Sequence, residues 1–309
     1  MPRIALATCR PGPEVSADPD LPVLVAALRE AGAEASAELW DDPGVDWAAF
    51  DLVVIRSTWD YSWRTAEFTA WAEACGRVTR LRNPAGVVRW NTDKRYLGEL
   101  AEAGVPVVPT RYIAPGDGAD PDSLCLPDAY EYVVKPTSGA GARFAARYGP
   151  GDRAAAAAQI ARMHAEGFTV MIQPYVTSID SEGERALQFL DGRLLHAARK
   201  DPVLRPGTPY DKKKVAHPGL RAWTPGPAEL AVARRALAAV PAEVADGPGL
   251  LYARVDLVTG EDGGPVVMEL ELVEPNLFLS LHPASVPKVA QSLLTAARRR
   301  PPSAGAAPR

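Results

Sequence analysis

The chain has 309 residues, 47% of them hydrophobic and 23% charged, with a formal net charge of −4. That length carries two domains or one large multi-lobed one, and the acidic balance gives no electrostatic case for a nucleic-acid partner. No apolar run approaches the roughly 20 residues that a membrane span needs.

MPRIALATCR has too short an apolar core for a signal peptide and reads as a first strand over 4–8. Cys9, Cys75 and Cys125 form neither a metal-ligand pattern nor a disulfide framework, so a cytoplasmic location is the expectation. Asp20 is placed to cap a helix over 21–31, with Gly32 just past its end. LVVI, 52–55, is a second buried strand, and 65–75 a second helix. This alternation predicts an open, largely parallel α/β sheet over the first 85 residues, with ligands beyond the carboxyl ends of its strands. RSTWDY sits at such an end. Arg56 is a natural partner for an anion, and Trp59, Asp60 and Tyr61 suit a pocket; the alternative is a surface turn with Trp59 packed down.

Next, a helix is expected to start at Asn91 or Thr92, to carry Lys94, Leu97 and Leu100, and to end at Gly104. Residues 105–110 are extended. EYVVK, 131–135, is a strand that runs into the small-residue loop PTSGAGAR. A helix over 154–166 precedes VMIQPYV, 170–176, a strand interrupted by Pro174. Residues 186–190 and 194–198 form a hairpin about Asp191-Gly192. A helix over 228–240, strands over 250–258 and 266–272, and a helix over 285–300 complete the fold, and PPSAGAAPR reads as a disordered tail.

Three segments carry chemistry. In KPTSGAGAR, Lys135 stands at a strand end before a loop whose small residues, Ser138 and Gly139 among them, let backbone N–H groups approach phosphate oxygens. It is neither a Walker loop nor a dinucleotide fingerprint, and alone it reads equally as a hairpin tip. In VMIQPYV, the proline frees backbone groups at Gln173, Tyr175 and Val176 that can read an adenine edge; a kinked edge strand is the rival. In VVMELELVEPN, strand alternation points Glu269 and Glu271 one way and Met268, Leu270 and Leu272 the other, with Glu274 close behind. Paired carboxylates on a half-buried face need a cation, metal or side chain. In YARVDLV, Arg254, Asp256 and Val258 share a face, and this strand neighbours VVMELEL. Three carboxylates, with Arg185, Arg199 and Lys200 upstream, suit Mg²⁺ between protein and nucleotide phosphates.

Taken in order, RSTWDY, NTDKRYL, VVKPTSGAGAR, MIQPYV, GERALQF, ARVDLV and MELELVEPN resemble the ATP-grasp superfamily, on its glutathione-synthetase-like branch, over nearly the whole chain. The resemblance implies an ATP-grasp fold: an N-terminal open α/β pre-grasp domain at 1–85, a lysine-helix and flap subdomain at 86–176, a metal-binding subdomain at 177–297, and a tail at 298–309. It implies that Lys94 and Lys135 hold ATP phosphates under the flap with Ser138 and Gly139. Gln173, Tyr175 and Val176 would line the adenine pocket, and Glu184 would take the ribose hydroxyls, with Glu182 and Asp180 as rivals. Arg185 and Arg199 would contact the transferred phosphoryl group. Asp256, Glu269 and Glu271 would bind two Mg²⁺ ions, Glu271 standing where much of the family has asparagine. Asn276 would face the substrate. The flap and the loop 205–218 would be lids; Lys212, Lys213 and Lys214 would be lid charges or solvated.

The implied chemistry is ATP-dependent activation of a carboxylate as an acyl phosphate, then attack by a nitrogen. ALATCR, VVIRSTWDY, NPAGVVRWNTDKRYL, YARVDLV and MELELVEPNLFL are similar to the O-ureido-serine cyclo-ligase subgroup. That similarity implies ring closure of O-ureido-D-serine to D-cycloserine in antibiotic biosynthesis. Arg56 and Asp60 would each take one charge of the small amino-acid-like substrate. The rival readings are an intermolecular carboxylate–amine ligase, a non-catalytic nucleotide-binding protein, and a dinucleotide-dependent oxidoreductase that lacks its glycine fingerprint. His164, His196, His217 and His282 show no metal spacing and read as structural, His282 being the one that follows the metal strand.

Overall fold

The computed structural model describes every residue except 13–14, 118–123, 205–217, 246–248 and 300–309. Lys212 to Lys214, most of the expected second lid and the C-terminal tail therefore lie outside the described residues.

The chain starts with β1 (Arg3–Thr8), α1 (Asp20–Glu30), β2 (Glu34–Leu39), β3 (Leu52–Ser57), α2 (Thr65–Val78) and β4 (Leu81–Arg82). The strands form a parallel sheet in the order β2-β1-β3-β4. Every residue of β3 is buried, because helices cover both faces of a parallel sheet. Ile4, Leu6 and Val54 pack on Leu24 and Leu28 of α1, while Val53 and Ile55 pack on Phe68 and Ala72 of α2. The sequence reading missed β2, whose EASAEL has small and charged residues in place of a β-branched run. It also made Asp20 the helix cap. Pro19 holds the cap position instead, and Asp18 Oδ1, one residue before it, accepts from the Asp20 N–H at 2.9 Å. Asp20 is buried in the first turn and accepts from the Leu279 N–H at 3.0 Å.

The helix expected to start at Asn91 or Thr92 begins only at α4 (Tyr96–Glu102), after an unexpected α3 (Ala85–Asn91), and Lys94 lies in the break between them. Two side chains explain the interruption, since Asn and Asp compete with helix hydrogen bonds. Asn91 donates to Leu270 O at 2.8 Å and accepts from the Leu272 N–H at 2.7 Å, and Asp93 accepts from the Arg95 N–H at 2.9 Å. The freed Lys94 N–H donates to Thr137 O at 2.7 Å, which ties the break to the start of the flap.

β5 (Arg111–Ile113), β6 (Tyr132–Pro136), β7 (Ala146–Tyr148), α5 (Arg153–Ala165) and β8 (Val170–Pro174) build a second, antiparallel sheet in the order β5-β8-β6-β7. Ile160 and Met163 of α5 pack against Tyr132, Val134 and Phe144. The third sheet follows α6 (Ser178–Glu182). It comprises β9 (Glu184–Leu190), β10 (Arg193–Lys200), β11 (Leu220–Trp223), β12 (Tyr252–Thr259) and β13 (Pro265–Glu271), in the order β11-β10-β9-β12-β13. Asp191 and Gly192 both take left-handed backbone (φ 49° and 73°), as the twist of a tight hairpin requires. Between β11 and β12 come α7 (Pro227–Ala238) and α8 (Ala242–Ala245); α9 (Val286–Arg298) closes the chain. α7 covers one face of the third sheet through Val232, Ala233 and Ala236, against Leu187, Phe189, Val255 and Leu257. α9 returns to the first sheet, where Leu293 and Leu294 join Leu24 and Leu28. Among the described residues no helix is long and apolar enough to cross a membrane.

One register detail corrects the sequence reading. Asp256 pairs with Glu269, but Leu257 pairs with Val267, so Met268 is an extra residue. This β-bulge turns Met268 to the side it was not expected on, where it packs in the cluster of Val258 and Tyr175.

Candidate active site

The second and third sheets face one another across a cavity of about 470 Å³, and the first sheet's loops close its far end. Pairing fixes which side chains enter. Ala186 lies opposite Asp256 on one side and Ala198 on the other, and Glu184 lies opposite Lys200. Glu184, Lys200, Arg254 and Asp256 therefore share the cavity face, with Glu269 and Glu271 beside them on β13.

The acids and bases are interleaved there. One oxygen each of Asp256, Glu269 and Glu271 falls within a 4.8 Å cluster. Lys200 Nζ lies 2.6 Å from Asp256 Oδ2 and 2.7 Å from Glu184 Oε2. Arg254 grips Asp256 with two bonds, Nε at 2.8 Å and Nη2 at 2.9 Å, and also binds Glu271. Lys94 Nζ lies 3.1 Å from Glu269 Oε1 and donates to Gly139 O at 2.7 Å.

These contacts set the ionisation. Burial disfavours the Asp256 charge, but Arg254 and Lys200 outweigh it and hold the carboxyl at about 2. Burial likewise opposes the charge of Glu269, and Lys94 and Lys135 prevail, so its pKa is lowered. Glu271 goes the other way: burial, with Glu269 and Asp256 adding to it against Arg254, pushes it up to about 8. Burial also weighs against Lys94, yet Glu269 raises its pKa above the ordinary lysine value. Lys135 is the exception among the cations, its pKa lowered by burial. Three carboxylates that repel one another across so short a distance could hold a divalent cation, and hard oxygen donors of this kind match Mg²⁺.

The remaining wall is apolar. Val133, Pro174, Tyr175, Val176, Ile179 and Met268 line it with Gln173. Gln173 Nε2 donates to Thr110 Oγ1 at 2.9 Å, and the Tyr175 N–H donates to Glu131 O at 2.8 Å. The Tyr175 N–H is thus engaged and is not one of the free groups expected beside Pro174. At the far end stand Trp59, Tyr61, Asp20, Asn276 and Phe278.

Of the residues singled out from sequence, the structure brings Lys94, Lys135, Gly139, Gln173, Tyr175, Val176, Glu184, Asp256, Glu269, Glu271, Trp59 and Asn276 together around this cavity. Five others are elsewhere. Arg185 lies opposite Arg199 on the other face of the sheet. Arg185 Nε donates to Glu229 Oε1 on α7 at 3.0 Å, and Arg199 Nη2 to Ser181 O at 2.8 Å. Their strand parity is odd relative to Lys200, so neither faces the cavity. Asp60 accepts from Trp40 Nε1 at 2.8 Å and pairs with Arg64 at 3.4 Å, away from the cavity. Arg56 is buried behind the wall and donates to Pro275 O at 3.1 Å, so it holds the VEPN turn. Ser138 Oγ bonds Thr65 Oγ1 at 3.0 Å. The rivals for the ribose role are also committed, Asp180 to Arg147 and Tyr175, and Glu182 to Arg185 and Thr259.

Comparison with known proteins gives the family. A family model described as the N-terminal domain of D-cycloserine synthetase DcsG matches residues 4–83. The cycloserine biosynthesis protein DcsG of Streptomyces lavendulae is 43% identical over 284 residues, spanning 89% of this chain and 93% of that protein. The chain belongs to the D-cycloserine synthetase family. The crystal structure of D-cycloserine synthetase DcsG superposes with a TM-score of 0.87 at 39% identity, covering 96% of this chain and all of that one. A RimK-domain ATP-grasp protein from Sphaerobacter thermophilus (22% identity, TM-score 0.63, 95% of this chain and 98% of that one) shares the fold. So does D-alanine–D-alanine ligase from Bacillus anthracis (16%, TM-score 0.66, 96% and 97%). As a D-cycloserine synthetase family member the chain has the ATP-grasp fold expected from its motifs and is an ATP-dependent carbon–nitrogen ligase.

Within this D-cycloserine synthetase fold, sequence reasoning passed over three site residues. Lys200 was noted only as an upstream charge and Arg254 only as sharing a face with Asp256, yet both line the cavity and Arg185 and Arg199 do not. Alternation from Asp256 already puts Arg254 on that face, whereas Lys200 joins it only through the register of β10 on β9 and of β9 on β12. Glu274, beyond the strand, carried no parity signal at all.

Proposed function

We propose that this protein closes O-ureido-D-serine to D-cycloserine, first activating the substrate carboxylate as an acyl phosphate with ATP. The observation that carries this reading is the cavity itself. Lys94, Lys135, Lys200 and Arg254 converge there on Asp256, Glu269 and Glu271, in a chain 43% identical to a cycloserine biosynthesis protein.

The residues divide the work as follows. The slot of Gln173, Tyr175, Val176 and Met268 takes the adenine, and Glu184 the ribose. Lys94 and Lys135 take the phosphates, with Gly139 of the flap above them. Lys200 and Arg254 stabilise the charge that builds on the phosphoryl oxygens in transfer, the largest electrostatic demand of such a step. Asp256, Glu269 and Glu271 would hold two Mg²⁺ ions, which supply charge neutralisation and alignment of the triphosphate. Trp59 and Asn276 border the amino-acid-like substrate, and the flap keeps water from the acyl phosphate.

The test is ADP release from purified protein with Mg-ATP and O-ureido-D-serine, with the product identified by mass spectrometry. One cycloserine per ADP is expected. ADP that depends on the substrate but yields no cycloserine would move the protein to intermolecular carboxylate–amine ligation. ADP that does not depend on the substrate would remove O-ureido-D-serine from consideration.

A further inference from the structure

Among the described residues Asp20, Glu184, Asp201, Asp256, Glu269, Glu271 and Glu274 border the reaction space; Asp20 accepts from the Leu279 N–H and Asp201 pairs with Arg221 at 3.9 Å. Glu184 is paired with Lys200, Asp256 with Lys200 and Arg254, Glu269 with Lys94, and Glu271 with Arg254. Glu274 forms no ion pair among the described residues, although it is 7% exposed and lines the same cavity. Its backbone is fixed on both sides. Trp59 Nε1 donates to Glu274 O at 3.4 Å, and Arg56 Nη1 to Pro275 O at 3.1 Å. Asn276 O is held by Gln188 Nε2 at 2.7 Å. So much anchoring of an acid that neutralises nothing calls for a use. Its position supplies one, because it lies between the carboxylate cluster and the Trp59–Asn276 end where the substrate would sit.

We propose that Glu274 is the base that takes the proton from the attacking nitrogen when the C–N bond forms. In that step the nitrogen lone pair bonds the acyl carbon and the acyl C–O bond to phosphate breaks; the carbamoyl group that this nitrogen carries in O-ureido-D-serine is then cleaved by water and leaves as carbon dioxide and ammonia, giving cycloserine. The N–H proton passes to the Glu274 carboxylate and then to the departing phosphate, which restores the base. Lys94, Lys200 and Arg254 cannot accept it, since their carboxylate partners keep them protonated. Burial pushes the Glu274 carboxyl up to about 7, against the pull of Lys94 and of the adjacent Tyr61 hydroxyl, and Glu269 adds to the rise. A base of that strength both takes and returns a proton near neutral pH.

This inference rests on the ring-closing function proposed above, and its test separates the two. Glu274→Gln and Glu274→Asp would be assayed with Mg-ATP and O-ureido-D-serine for cycloserine, and in parallel with hydroxylamine, which traps the acyl phosphate as a hydroxamate. Hydroxylamine is nucleophilic enough to react unaided. The expected result for Glu274→Gln is hydroxamate within about threefold of the wild type and cycloserine lower by roughly 10²-fold, the ordinary worth of a general base. Glu274→Asp should recover part of the ring closure. Hydroxamate also reports that the variant is folded. Equal loss of both products, or a change confined to the KM for O-ureido-D-serine, would overturn the role. A wild-type protein that makes hydroxamate but no cycloserine would instead defeat the ring-closing function itself.

Discussion

The two faces of the β9–β10–β12 sheet carry similar chemistry and opposite meanings. Each holds a buried arginine bonded to a carboxylate: Arg254 with Asp256 on one face, Arg185 with Glu229 on the other. Arg185 also reaches Glu182 and Thr259, and α7 closes over its face with Val232, Ala233 and Ala236. Arg254 faces a cavity bordered by the acids Asp20, Glu184, Asp201, Asp256, Glu269, Glu271 and Glu274 and the bases Lys94, Lys135, Arg143, Lys200 and Arg254. A buried ion pair alone therefore does not mark a functional site. What marks it is a pair left open to a space in which the charges are not yet balanced. Asp256→Asn should lower substrate-dependent ADP formation by roughly 10²–10³-fold and raise the Mg²⁺ concentration needed. Arg185→Met should leave turnover within about threefold while thermal or denaturant unfolding shows a loss of roughly 3 kcal/mol, because Glu229 loses its only cation and keeps only the Trp223 Nε1 and Gly226 N–H donors among the described residues. The opposite pattern, Arg185→Met inactive at unchanged stability, would break the comparison.

The same contrast shows what the sequence made legible. Hydrophobic runs and their alternation with helices gave the parallel first sheet, and the Asp191-Gly192 turn gave the hairpin. Short-range pairing placed Asp256 with Glu269 and Glu271. What could not be read depends on tertiary pairing. The faces of β9 and β10 relative to β12 follow from a register that no local pattern encodes, so Arg185 and Arg199 stood in for Lys200 and Arg254. The bulge at Met268 arises inside an unbroken apolar run. The break that frees Lys94 comes from Asn91 reaching β13 about 180 residues away in sequence. Asp60 and Arg56 were attractive as substrate charges because their partners, Trp40 and Pro275, are distant in the chain.

The cavity face is itself divided, which sharpens the comparison. Further along β10 from Lys200, His196 lies under the loop that leads to α9. Its Nε2 bonds Leu277 O at 2.7 Å and its Nδ1 bonds Ser285 Oγ at 2.8 Å, and its ring stacks on His282 at 4.2 Å. His282 Nε2 in turn bonds Ala197 O at 3.0 Å, so both rings are tied to backbone carbonyls. Burial, with the His282 charge adding to it, depresses the His196 pKa to about 4. The native state then keeps His196 neutral while the unfolded chain takes up a proton near the ordinary histidine value. The stability contribution is complete above about pH 6.5 and is lost as pH falls from there toward 4, by up to roughly 2–3 kcal/mol. Denaturant midpoints measured across that range should show this slope, and His196→Gln should flatten it. An unchanged slope would mean that the loop admits the imidazolium.

The smallest effect expected belongs to a third arginine, which joins the flap to the first sheet's loops. The Arg143 guanidinium lies 3.9 Å over the Trp63 ring, and its Nη1 donates to Trp59 O at 3.1 Å and to Ser62 Oγ at 2.8 Å. Trp59 also borders the substrate end of the cavity, so the flap over the phosphates and the wall beside the substrate share one anchor. Arg143→Ala removes a ring contact and two hydrogen bonds, about 1–2 kcal/mol in a buried setting. It should raise the KM for ATP by about tenfold and leave the acyl phosphate more open to water, so that ADP exceeds cycloserine. The ratio of the two products reads the seal directly, whereas a loss of fold would lower both together. A ratio that stays at one would mean that Lys94 on Gly139 O and Ser138 on Thr65 hold the flap without Arg143. The openness that distinguishes the Arg254 face would then be controlled from inside the cavity rather than from its rim.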